Sequence, residues 1–83
     1  MPAATRLGDS DTGGAAMSGA SPDVFTNGRG QGRIGDPYAA HGSALAGGSS
    51  TVYVNGKGAG RVGDPVSCGD RAADGSSNVF MGG

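Results

Sequence analysis

Three short runs of β-branched and aromatic residues stand out along a chain otherwise rich in small residues. They are Val24-Phe25-Thr26, Val52-Tyr53-Val54 and Val79-Phe80-Met81. Each is too short for a helix, and its residue types favour an extended, half-buried backbone. Asn27-Gly28 and Asn55-Gly56 follow the first two runs. That dipeptide closes tight hairpins because both residues tolerate positive φ. Arg-x-Gly-Asp segments come next and read as a second short strand, ended by the turn-starting dipeptides Asp36-Pro37 and Asp64-Pro65. Each unit is therefore predicted to be a β-hairpin followed by a Gly/Ala/Ser loop. Only Ala15-Ala16 and Ala39-Ala40 could start a helical turn, and nothing periodic extends them.

The units recur in register. Arg6-Leu7-Gly8-Asp9 returns as Arg33-Ile34-Gly35-Asp36 and as Arg61-Val62-Gly63-Asp64, at steps of 27 and 28 residues. Ser21-Pro22-Asp23-Val24-Phe25 returns as Ser49-Ser50-Thr51-Val52-Tyr53 and as Ser76-Ser77-Asn78-Val79-Phe80, at steps of 28 and 27. Val24 to Asp36 and Val52 to Asp64 are both 12 residues, so length variation is confined to the stretch after each Asp. The expected architecture is a single all-β domain over 1–83, with repeats of approximately 1–28, 29–56 and 57–83. One such hairpin cannot bury its own apolar face. Three copies packed about a common axis can, presenting Val24/Val52/Val79 and Leu7/Ile34/Val62 to one another. The predicted object is a small Gly-rich cone with pseudo-threefold symmetry, sized to cap something that is itself threefold.

Composition narrows the reading further. Of 83 residues, 19 are Gly and 4 are Pro, while Leu, Ile, Val and Phe together number 11. That balance suits a disordered linker or a repetitive β structure; the fixed register selects the second. So few large apolar residues imply a domain that needs a partner, a metal or both for stability. A net charge of −1 lacks the basic footprint of a nucleic-acid or anionic-membrane binder. One cysteine excludes an intrachain disulfide framework. No run approaches a membrane span, and the N-terminus lacks the apolar segment of a secretory signal.

Pro2-Ala3-Ala4-Thr5-Arg6-Leu7-Gly8-Asp9 resembles the opening of PAAR-repeat proteins, with Thr5 interposed before the Arg. Ser-Pro-x-Val-Phe-x-Asn-Gly and Asn-Gly-Lys-x-x-x-Arg-Val-Gly-Asp match the rest of that pattern across all three repeats. The resemblance implies a cone whose broad base sits on the trimeric β-helical spike of a contractile injection machine. Such machines are the phage tail and the type VI secretion system, whose spike is a valine-glycine repeat protein. The implied role is a tip that sharpens the spike and helps pierce the target cell envelope, one copy per trimer, and not a homo-oligomer. No enzymatic activity is expected. The chain length leaves no room for an effector extension, which tilts the expected setting to the virion tail tip (the baseplate's central spike). The alternative is a metal-stabilised adaptor that recruits cargo or effector to a type VI spike and is secreted with it from the bacterial cytoplasm. The expected spike-binding residues are Val24, Phe25, Val52, Tyr53, Val79 and Phe80, because aromatics are favoured in interface cores. The alternative for these is internal core.

The resemblance also implies one structural metal near the apex, zinc or iron, held in the family by three His and one Cys. This chain departs from that set, having a single histidine. His41 lies five residues after Asp36 and Cys68 four after Asp64, each followed by Gly; the first repeat offers Gly13 there. The expected ligands are His41, Cys68 and Asp70, with Asp11, Asp74 or water making up the four that zinc wants. The alternative is a decayed site.

Other motifs tempt but lack context. Gly30–Gly35 and Gly58–Gly63 both fit G-x-G-x-x-G, yet a turn follows each where a nucleotide site needs a helix. No nucleotide partner is expected. Asp9, Asp36 and Asp64 read as turn acceptors paired with Arg6, Arg33 and Arg61 rather than as a catalytic cluster. His41 and Cys68 could form a thiol dyad, but no third orienting group is suggested.

Overall fold

At Asn27 and Asn55 the backbone turns left-handed, with φ of 54° and 53°, and Gly28 and Gly56 follow at 77° and 78°. Two consecutive positive φ values define the turn whose twist matches paired strands. In the computed structural model, which describes residues 1–39 and 42–82, these turns join β1 (Phe25–Thr26) to β2 (Arg29–Gly30) and β3 (Tyr53–Val54) to β4 (Lys57–Gly58). Both pairs are antiparallel, with Phe25 opposite Gly30 and Tyr53 opposite Gly58. Gly30 and Gly58 are required by close approach. A Cβ at Gly30 would lie 2.8 Å from Ser21 O, and one at Gly58 2.7 Å from Ser49 O.

The third hairpin is made from both ends of the chain. Phe80 pairs antiparallel with Ala3. Ala4 N–H donates to Val79 O and Met81 N–H to Pro2 O, each at 2.9 Å. Gln31 N–H to Val24 O and Ala59 N–H to Val52 O, also 2.9 Å, are the same bond in the other two hairpins. The N-terminal segment thus stands where β2 and β4 stand, and the ring of repeats closes without a covalent link between third and first.

The expected second strand is corrected by the structure. Arg-x-Gly-Asp is a β-turn in all three copies, closed by Asp9 N–H to Arg6 O at 2.9 Å, Asp36 to Arg33 at 3.0 Å and Asp64 to Arg61 at 3.1 Å. Its Gly is left-handed (Gly8 88°, Gly35 95°, Gly63 92°), a conformation that breaks a strand. The hairpin partners are instead Arg29–Gly30 and Lys57–Gly58.

The symmetry is written in the hydrogen bonds. Thr5 N–H donates to Gly60 O (3.1 Å), Gly60 N–H to Gly32 O (2.7 Å) and Gly32 N–H to Thr5 O (2.9 Å), a closed triangle about one axis. The fully buried Gln31 puts its Nε2 against all three of those carbonyls, at 3.1 Å from Thr5 O, 3.0 Å from Gly32 O and 3.1 Å from Gly60 O. Its Oε1 accepts from Thr26 Oγ1 at 2.6 Å. Ala4 and Ala59 occupy the two equivalent positions, so one amide serves the whole axis. The result is an all-β body of three hairpin repeats with pseudo-threefold symmetry, measuring 26 × 24 × 22 Å.

The hydrophobic runs contribute little to the core, Val54 being their one buried aliphatic side chain. Leu7, Val24 and Ile34 are exposed. The buried cluster is Met17, Tyr38, Leu45, Val66 and Ala72, all from the stretches after each Asp. These stretches fold back on the Arg-Gly-Asp turns: Met17, Leu45 and Ala72 N–H groups each donate at 2.9 Å to the carbonyl of Asp9, Asp36 and Asp64. Bridges then pair Met17 with Tyr38, Leu45 with Val66, and Ala72 with Asp11. Two sets of three quasi-equivalent positions thus pair up, and in the second set Asp11 stands where Tyr38 and Val66 stand.

Candidate functional site

Two regions carry candidate chemistry. The first is the set of hairpins. Ser21, Ser49 and Ser76 begin each aromatic run, and each Oγ accepts at 2.9 Å from the N–H three residues on, at Val24, Val52 and Val79. Such hydroxyl turns fix where an extended run starts. The same hydroxyls donate across to the next hairpin tip, Ser21 to Asn55 Oδ1, Ser76 to Asn27 Oδ1 and Ser49 to Gly82 O. Arg6 and Arg33 Nη1 reach Asn27 and Asn55 Oδ1 at 3.0 and 3.1 Å, and Arg61 Nη1 reaches Gly82 O at 3.3 Å.

Each arginine is itself held by the aspartate three residues on. Arg33 Nη2 lies 2.8 Å from Asp36 Oδ1 and Arg61 Nη2 2.9 Å from Asp64 Oδ1. These hydrogen bonds raise both guanidinium pKa values further. Asp9 takes Arg6 Nε at 2.8 Å and also Arg29. Burial pushes the Asp9 carboxyl up, but the Arg6 and Arg29 hydrogen bonds outweigh it and hold it below its ordinary value.

This lattice fixes the hairpins and leaves their aromatics outside. Phe25 and Tyr53 are each 61% exposed and Phe80 is 50% exposed. Val24 is exposed beside Phe25, while Val52 and Val79 are half-buried. Of the six residues expected at the spike interface, the three aromatics and Val24 thus face solvent.

The second region is the set of turns that follows the Arg-Gly-Asp segments. Asp11 Oδ1 accepts from Gly13 N–H at 3.0 Å and Ala15 N–H at 2.9 Å, which closes the first-repeat turn. Its Oδ2 is buried and has no hydrogen-bond partner among the described residues. Cys68, exposed at the third-repeat turn, points its Sγ at Asp70 Oδ2, 3.4 Å away. One ligating atom from each of Asp11, Cys68 and Asp70 lies within 4.8 Å of the others. Ligands about 3.3–3.8 Å apart would surround a tetrahedral zinc-like ion, so small side-chain adjustments bring this set to bonding distance. Thiolate and carboxylate together suit a divalent ion of borderline softness, and the residues present could hold one. Of the expected ligands, Cys68 and Asp70 come together with Asp11. Asp74 is engaged elsewhere, by Ser10 Oγ. His41 lies outside the described residues.

Tyr38 completes the picture from the core side. Its hydroxyl is buried, and burial, reinforced by the Asp11 charge, pushes the phenol up to about 12. Reading the residues one by one located the Asn27 and Asn55 turns but missed their Oδ1 atoms as acceptors between hairpins, as well as Gln31 and the core place of Asp11. Aligning the three stretches after each Asp by their Gly turns would have set Asp11 against Tyr38 and Val66.

The structure is thus a threefold-pseudosymmetric β body with three outward aromatics and a turn cluster that could hold a metal. The PAAR motif family model matches residues 7–74, so the chain belongs to that family. A search of curated proteins finds no significant match. PAAR proteins are structural spike-tip proteins of contractile injection systems, and the family membership implies association with a spike protein.

Proposed function

We propose that this protein is the tip that caps a trimeric β-helical spike of a contractile machine such as a phage tail, and that it acts mechanically in piercing the target envelope. The observation that carries the reading is the placement of Phe25, Tyr53 and Phe80 at equivalent points of three hairpins, half or more exposed. A monomer with three near-identical faces matches the three chain ends of a trimer. Those ends are open strand edges that require cover, and strand addition with aromatic anchors would supply it. Val24, Val52 and Val79 flank the anchors and complete the proposed contact. The Ser/Asn/Arg lattice beneath them keeps the face rigid, which limits the ordering cost of docking.

The test is binding to a candidate trimeric spike with the triple variant Phe25→Ser, Tyr53→Ser, Phe80→Ser. These side chains are exposed in the free tip, so folding is expected to survive. Buried aromatic anchors commonly contribute ~2 kcal/mol or more each. The variant should lose affinity by at least about 1,000-fold. Unchanged affinity would refute the docking face.

A further inference from the structure

The third-to-first junction differs from the other two because no peptide bond crosses it. The same backbone bonds otherwise recur in all three hairpins. Ala4, Gln31 and Ala59 N–H groups donate to Val79, Val24 and Val52 O, each at 2.9 Å. Ser76, Ser21 and Ser49 N–H groups donate to Ala4, Gln31 and Ala59 O at 2.8, 3.0 and 2.8 Å. Val62, Leu7 and Ile34 N–H groups donate to Ala3, Gly30 and Gly58 O at 2.8, 2.8 and 3.0 Å. Pro2–Ala4 is thus an inserted strand, hydrogen-bonded on both edges as β2 and β4 are.

The covalent hairpins have supports that this strand lacks. The first is the turn. Asn27-Gly28 and Asn55-Gly56 tether β1 to β2 and β3 to β4, whereas Pro2 and Met81 meet through a hydrogen bond, Met81 N–H to Pro2 O at 2.9 Å. The second is the tip amide. Asn27 Nδ2 donates to Asn78 Oδ1 and Asn55 Nδ2 to Asp23 Oδ1, each at 2.9 Å, across to a neighbouring hairpin. Gly82 holds that place in the third hairpin. Its carbonyl accepts from Ser49 and Arg61, but it has no side chain to donate. The third support belongs to β2, where Arg29 forms an ion pair with Asp9. Pro2 stands in that register and carries no donor. When a strand of a tethered hairpin unpairs, the turn keeps its ends together. When Pro2–Ala4 unpairs, it regains the freedom of a chain end.

We propose that Pro2–Ala4 is a latch: the third hairpin opens by release of this N-terminal strand while the other two hairpins and the core stay folded. Phe80 pairs with Ala3, so release frees the backbone at the third aromatic anchor. The unbound tip therefore alternates between a form with three complete faces and a form with two. Only the first matches a threefold spike, so docking selects the closed latch. This gating rests on the docking face proposed above; the opening itself does not.

The test is native-state hydrogen exchange of the full ¹⁵N-labelled chain by NMR, in its linear form and with its ends ligated head to tail. A Cβ on Gly82 would lie 3.1 Å from Met1 Sδ, so the ends lie close together. Ligation gives the third hairpin a Gly82-Gly83-Met1 connection, a common hairpin loop length. In the linear chain the Ala4, Ser76 and Val62 amides, corrected for intrinsic rates, should exchange at least about 10-fold faster than their equivalents in the other hairpins, as a local opening requires. Ligation should remove that difference. A smaller spread in the linear chain, or a difference that ligation leaves in place, would overturn the latch. In complex with a spike trimer the same three amides should slow by at least about 10-fold, since the bound form is the closed one. Unchanged exchange there in a complex that does form would overturn the gating alone. A chain that binds no spike would sink the docking reading and leave the latch standing.

Discussion

Gln31→Glu is a nearly isosteric change that should make the tip's stability fall steeply as pH rises from acid to neutral. The Gln31 amide meets three carbonyl oxygens at 3.0–3.1 Å on the pseudo-threefold axis, with no solvent exposure. A carboxylate there would face three acceptors and no donor except Thr26. The acid must therefore stay protonated in the folded state. Its folded pKa is raised above the unfolded value of about 4.3. The folded state then holds a proton that the unfolded state releases, so stability falls as pH rises from about 4.3. Holding the proton to pH 7 spans about 2.7 units, or roughly 3.7 kcal/mol at 1.36 per unit. One lost donor adds about 1 kcal/mol, giving a deficit of about 5 kcal/mol at pH 7 against about 1 at pH 4. A domain of this size has a total stability of about 4–12 kcal/mol, so at neutral pH the variant loses about 40% or more of it, and at the low end of that range it unfolds. Gln31→Met keeps the volume, loses the bonds and strands Thr26; it should cost about 3 kcal/mol at either pH. Urea unfolding followed by circular dichroism at pH 4, 5, 6 and 7, each variant referred to wild type at the same pH, reads the difference. A Gln31→Glu deficit that does not change with pH, or a variant as stable as wild type at pH 7, would refute the axial placement of this amide.

Other expectations follow from single contacts. Asp9, held below its ordinary carboxyl value by Arg6 and Arg29, stabilises the fold fully above its unfolded pKa of about 3.9, and that contribution disappears as pH falls further. Asp9→Asn should therefore flatten the acid limb of a Tm-against-pH curve. Gly60→Ala would set a Cβ 2.6 Å from Leu45 Cδ2 and 2.9 Å from Thr5 Cγ2, an overpacking that costs about 1–3 kcal/mol in thermal unfolding. Asn55→Ala removes the acceptor of Ser21 Oγ and Arg33 Nη1 and puts a Cβ-bearing, non-Asn residue at φ 53°. It should cost about 1–2 kcal/mol, read in the same assay.

The hairpins at Asn27-Gly28 and Asn55-Gly56 were legible because their signal is local: two adjacent residues decide the turn. The threefold plan was legible because repetition survives in the spacing of Arg, Gly and Asp. What local reading missed depends on long-range closure. Nothing in Val79-Phe80-Met81 announces that Pro2–Ala4 completes its hairpin. Arg-x-Gly-Asp looked extended because its β-branched or aliphatic second residue masks a left-handed Gly. The core hid in stretches that resemble linkers, since Met17, Leu45 and Ala72 share a register without sharing size. At the candidate metal site, Cys68 and Asp70 were found from their closeness in sequence. Asp11 was one of several candidates to complete the set; only the ring that brings the first repeat against the third singles it out.

The central claim is that one pseudo-threefold chain seats on one threefold spike. Native mass spectrometry of the tip mixed in excess with a trimeric spike that it binds tests this directly. A single tip mass is expected on each trimer, with no further addition as the excess grows. Three tips on each trimer would mean that every spike chain carries its own tip, and the match between pseudo-axis and true axis would be wrong.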